Sequence, residues 1–170
     1  TKKTNLISIF SNQKKYKSFF KKKFSKNFIL DFVIDSDFKD IIKKRYLDKN
    51  TNSKIFGVYE INEKKISKNS ENKVIKLLKK YKKKSNKFII SDYGHGLVTD
   101  RIAQFISKNK FVYSLNAQIN SANRGYHGLF KFKNPDTIII NLSELRYEFK
   151  DRFTKTENLI LKLIIWYWNW

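Results

Sequence analysis

Phe88-Ile89-Ile90-Ser91-Asp92-Tyr93-Gly94-His95-Gly96 is the stretch on which the fold turns. Three apolar residues stop at a small polar residue and an acid, and the chain then turns through two glycines. From Leu97 to Ile106 apolar residues recur at helical spacing. A short buried strand, a glycine turn and an amphipathic helix account for this order. In open α/β sheets, ligands bind just beyond the carboxyl ends of strands, which is where Asp92 to Gly96 falls.

Two later segments repeat the pattern. Phe111-Val112-Tyr113-Ser114-Leu115 ends at Asn116-Ala117-Gln118, and Thr137-Ile138-Ile139-Ile140 ends at Asn141-Leu142-Ser143-Glu144, where another helix begins. Right-handed crossovers between parallel strands bring all three polar ends to one sheet edge. Between the second and third runs lies a glycine- and amide-rich loop, residues 116–128, which reads as a surface or ligand loop carrying Arg124 and His127.

Upstream, Asn5 to Phe10 and Phe28 to Ile34 read as strands around a basic helix with Tyr16, Phe19, Phe20 and Phe24 on one side, a βαβ unit. Ile41 to Asp48 and Ser53 to Asn62 flank an Asn-rich turn and predict an antiparallel pair. Val74 to Tyr81 predicts an amphipathic helix with Ser70 as its N-cap. The whole chain, 1–170, is expected to be a single α/β domain, with the antiparallel pair at about 41–62 and βα units at about 86–152.

Composition narrows the chemistry. With no cysteine, disulfides, thiolate metal sites and Cys nucleophiles are excluded, and His95 and His127 are the only histidines. The net charge of +22 invites a nucleic-acid reading, yet only five of the 37 basic residues are arginine, the residue best suited to bidentate phosphate and base contacts. Lys, Asn, Ile, Phe and Tyr share AT-rich codons, so the charge is read first as a solvated surface and nucleic acid as an unlikely partner. The apolar run Leu163 to Trp168 is too short to span a bilayer, and the basic start is not followed by a long apolar core with a cleavage site. A soluble, cytoplasmic protein without membrane association is expected. Nothing in the sequence has the pattern of a serine-hydrolase elbow, a phosphate-binding P-loop or a His-Glu-x-x-His zinc site.

Ser91-Asp92-Tyr93-Gly94-His95-Gly96 with its following helix resembles the Asp-Tyr-Gly-Lys-Gly segment of PfkB-type (ribokinase-like) carbohydrate kinases. The closer likeness is to their heptose 7-phosphate kinase branch, known from ADP-heptose synthases. Asn141-Leu142-Ser143-Glu144 is similar to that family's Asn-x-x-Glu motif, and residues 42–48 with 56–60 resemble its paired strands. The resemblance covers about residues 1–152 and rests on the order of several motifs. It departs from the pattern at His95, where the branch has lysine, and at Leu115-Asn116-Ala117-Gln118, where it has Val-Asp-Pro-Lys. Both departures remove cations that could hold a substrate phosphate.

The resemblance implies a three-layer α/β/α fold with a mainly parallel sheet, incomplete at both ends. It implies the middle of a sugar or sugar-phosphate kinase that uses ATP and Mg2+, in a pathway making nucleotide-activated sugars for surface polysaccharide. A fused nucleotidyltransferase domain and a homodimer are the implied partners. The family's Gly-Ala-Gly-Asp segment, which carries its general base, does not occur in these 170 residues, so the chain alone is expected to be inactive and no catalytic residue is assigned. Carried over residue by residue, Asp92, His95, Gly96, Asn116 and Arg124 become substrate-binding candidates. Asn141 and Glu144 become candidates for the magnesium and phosphate site.

Each candidate also has a plain structural role. Ser143 and Glu144 suit a helix start, Asp92 could cap the next helix, and a loop histidine between glycines is ordinary. The alternative from another class is a non-catalytic kinase-like module, or a basic domain binding polyanions such as nucleic acid.

Overall fold

A computed structural model describes residues 3–62, 64–118 and 128–168. The described chain divides into two compact units, Thr1–Val74 and Ile75–Trp170. Both are built on parallel strands with helices between them, and the first adds an antiparallel pair, so the architecture is mixed α/β.

In the first unit, β1 (Thr4–Phe10) and β2 (Phe28–Ile34) pair in parallel through α1 (Gln13–Lys23), as the βαβ reading expects. Phe10 lies at the centre of an aromatic cluster, with ring centroids 4.8 Å from Phe32, 4.9 Å from Tyr16 and 5.3 Å from Phe20. The helical stripe thus packs on the strands through Tyr16 and Phe20, whereas Phe19 is half exposed. Ile9, Val33, Phe38, Ile66 and Val74 are buried. Each such side chain contributes roughly 1.5–3 kcal/mol through burial.

Strands β3 (Ile42–Leu47) and β4 (Lys54–Glu60) form the expected antiparallel pair. Its turn is set by Asp48, whose Oδ1 accepts from the Asn50 and Thr51 N–H groups, and by Asn52 in the left-handed region at φ 54°. Tyr46, Leu47, Ile55, Phe56 and Val58 of this pair are exposed.

Helix α2 (Lys68–Lys82) starts earlier than its apolar spacing suggests. Ser70 lies inside it, and the capping hydroxyl is that of Ser67, which accepts from the Ser70 N–H at 3.2 Å. The expectation for Ser70 is corrected because the first turn, Lys68-Asn69-Ser70, carries no large apolar residue to extend the pattern.

The second unit holds a three-stranded sheet in the order β5 (Phe88–Asp92), β6 (Tyr113–Ala117), β7 (Thr137–Ile139), parallel throughout. Between them come α3 (Asp100–Lys108) and, among the described residues, a 3-10 turn, Leu129–Lys131, and after them α4 (Leu142–Phe149) and α5 (Thr156–Trp168). Tyr113, Leu115 and Ala117 alternate inward along β6, and Ile102, Ala103, Ile106, Leu129, Phe132, Leu145 and Leu159 are buried with them. On the other side of the sheet Ile89 and Ile139 are largely exposed. Among the described residues, no helix is long and apolar enough to cross a membrane.

Two boundaries move. Gly94 and Gly96 adopt φ of 67° and 91°, so Leu97 and Val98 remain in the turn and α3 begins only at Asp100. Lys110, at φ 51°, turns the chain before Phe111, and the β6 ladder runs from Tyr113 to Ala117 rather than ending at Leu115. Asn116 therefore lies within the sheet, opposite Ser91 on one side and Ile139 on the other.

Candidate functional site at the carboxyl edge of the second sheet

The parallel register carries Asp92, Ala117 and, two residues beyond β7, Asn141 to the same edge. The Gln118 N–H donates to the Asp92 carbonyl at 2.9 Å, and Asn116 Nδ2 donates to the Ile139 carbonyl at 2.9 Å. The three polar strand ends are thus brought together, as their sequence order predicts.

Asp92 is buried, with 3% of its surface exposed. Its Oδ1 accepts from the Gly94 N–H at 3.0 Å, which shapes the glycine turn. Its Oδ2 lies 2.5 Å from Lys131 Nζ, and among the described residues no other donor reaches that oxygen. Lys131 Nζ also donates to the Val98 carbonyl at 2.7 Å and lies 5.3 Å from the centroid of the Phe132 ring. One ammonium therefore ties the 3-10 turn to the strand end and to the far side of the glycine turn. A carboxylate buried this deeply needs such a counter-charge.

Asp92 does not cap α3. Thr99 does, its Oγ1 accepting from the Ile102 N–H at 3.2 Å. His95, between the two positive-φ glycines, is buried at 8% exposure, and Gly96 is partly so. The open part of the edge consists of Ser91, Tyr93, the partly exposed Asn116 and Asn141. Arg124 and His127 lie outside the described residues.

At the start of α4, Asn141 and Glu144 form a reciprocal capping box. Asn141 Oδ1 accepts from the Glu144 N–H at 2.9 Å, and Glu144 Oε2 accepts from the Asn141 N–H at 2.9 Å. Glu144 is buried, whereas Asn141 is exposed. The spacing that suggested a metal motif is also the spacing of a helix N-terminus, and the cap is what the geometry displays. Among the described residues, no group of three or more His, Asp or Glu side chains could hold a metal ion. One carboxylate and one amide stand there, with Asn141 Oδ1 and Glu144 Oε2 both engaged in the cap; a magnesium ion that keeps most of its waters needs few protein donors.

Lys131 is the residue that sequence reasoning missed. It lies in a basic, aromatic stretch, Phe130-Lys131-Phe132-Lys133, and no local pattern separates it from the other lysines. Only the position of the 3-10 turn brings it to Asp92. Nearby, Tyr113 donates its phenol proton to the Lys133 carbonyl at 2.6 Å, and burial pushes the phenol pKa up to about 12.

No protein-family model matches this sequence, and none of the curated proteins does.

Proposed function

We propose that the chain is the middle portion of a PfkB-type sugar or sugar-phosphate kinase with a ribokinase-like three-layer fold. The observation that carries this reading is the convergence at one parallel sheet edge of Asp92 with its glycine turn, Asn116, and the Asn141–Glu144 helix start. Phosphoryl transfer asks the protein mainly to position groups and neutralise charge, and strand ends beside helix N-termini do both. Under this reading Asp92, His95, Gly96, Asn116 and Arg124 serve the sugar, and Asn141 and Glu144 serve a hydrated magnesium with the ATP phosphates. A nucleotidyltransferase domain fused to this one, and a dimer, complete the reading.

Since the general-base segment is not part of these residues, the test is binding and not turnover. Addition of MgATP, with a panel of hexoses and heptoses and their phosphates, is expected to raise the thermal midpoint of the chain. Removing magnesium with EDTA, or the Glu144→Gln substitution, should abolish the nucleotide effect. No nucleotide or sugar effect, together with tight RNA binding that weakens steeply with salt, would replace this reading by the polyanion-binding one.

A further inference from the structure

Of the thirteen residues of α5, nine are apolar or aromatic, and only Glu157 and Lys162 are charged. One side is buried within the second unit. Leu159 and Leu163 are buried, the Trp166 ring lies 4.4 Å from that of Phe130, and Tyr167 donates to the Leu129 carbonyl at 3.2 Å. The other side is Ile160, Leu161, Ile164, Ile165 and Trp168, each at least 45% exposed. At 3.6 residues per turn these five fall within one arc of about 140°. A helix that is apolar on two sides buries more than one of them, and an exposed apolar patch of this size marks an interaction surface.

We propose that this face is the interface of a two-fold symmetric dimer, with α5 packed antiparallel on α5 of a second copy. The sequence of the face is self-complementary. About a two-fold axis passing between Lys162 and Leu163, Ile160 meets the partner's Ile165 and Leu161 meets the partner's Ile164, so the centre of the seam is apolar and Glu157 lies at its two ends. An isologous interface requires this kind of match. Glu157 then faces the partner's Trp168, whose indole N–H can donate to the carboxylate. The exposed parts of the five side chains amount to roughly 600 Å², at the lower end of one partner's share in a standard interface.

The charge of the chain sets the signature of this dimer. Two copies at +22 repel one another, so added salt strengthens an apolar dimer of this protein. An acidic partner or an anionic membrane would show the opposite trend.

Sedimentation of the whole chain tests this, at concentrations from about 1 to 100 μM and at low and high salt. A monomer–dimer equilibrium that tightens with salt is expected, and the exposed-site variants Leu161→Glu and Ile164→Glu should be monomeric with unchanged circular dichroism. As the sequence has no cysteine, Leu161→Cys supplies a unique thiol beside the axis. A short bis-maleimide should join two copies through it. Three outcomes would overturn the proposal: a folded monomer throughout, a dimer that survives both Glu variants, or a monomer that binds anionic lipid vesicles through this face.

Discussion

Asp35 and Asp92 occupy equivalent places in the two units and are buried by different means. Each lies at the carboxyl end of a parallel strand, Asp35 one residue beyond β2 and Asp92 as the last residue of β5, and both are under one-tenth exposed. Asp35 is held by neutral donors: the Ser67 N–H at 2.9 Å, the Asp37 N–H at 3.2 Å, and the Ser67 and Ser70 hydroxyls. Asp92 has one backbone N–H and one ammonium. Burial pushes the Asp35 carboxyl upward, yet the donors outweigh it and hold it below the usual carboxylate range. The neutral cage is spread over several groups and loses one at modest cost, whereas the ion pair stands or falls with Lys131.

The largest expected effect follows from that asymmetry. Lys131→Met leaves a buried charge without its partner and should destabilise the second unit by roughly 3–5 kcal/mol, read from denaturant unfolding. Trp166 and Trp168 belong to that unit, so their fluorescence reports its unfolding. Adding Asp92→Leu to Lys131→Met should recover most of the loss. If Lys131→Met alone is nearly neutral, the two aspartates do not differ as described.

In the first unit, Asp35→Ala should cost roughly 1.5–3 kcal/mol, because several donors lose a charged acceptor, and Ser70→Ala only about 1 kcal/mol. Hydrogen exchange of the β1 and β2 amides reads both. Asn141→Ala, which removes a cap without exposing a buried charge, should cost about 1 kcal/mol, comparable to Thr99→Ala at the start of α3.

The two units also differ in how their stability responds to pH. A carboxyl held below its unfolded value stabilises the fold above the usual carboxylate range, and that contribution is lost as pH falls through the folded pKa. Stability of the first unit should therefore persist to about pH 4 and decline below it. Tyr113 has the opposite sign. With its pKa raised to about 12, it supports the second unit up to the ordinary tyrosine range, and this support is lost as pH rises from about 10 towards 12.

Much of the fold was legible because strands that are buried or half-buried leave a strong local signal. The limits of β2, the antiparallel pair and the convergence of three strand ends follow from apolar runs and turn residues alone. The rest depends on contacts distant in sequence. α5 carries apolar residues on most of its circumference, so no clear helical period separates it from a strand or an odd tail. Lys131 reaches Asp92 from 39 positions away, which no motif encodes. For the site, Asn141 and Glu144 were legible as a pair, but one spacing serves both a helix cap and a metal motif. Sequence alone could not divide those roles.

We propose that the carboxyl edge of the second sheet receives a sugar and a magnesium–nucleotide. Backbone amide NMR of the chain, titrated with MgATP and with sugars, addresses it directly. Shifts are expected to concentrate at Ser91–Gly96, Asn116–Gln118 and Asn141–Glu144, with the nucleotide shifts dependent on magnesium. Silence at these amides, with any polyanion instead moving the exposed lysines of α2, would contradict it.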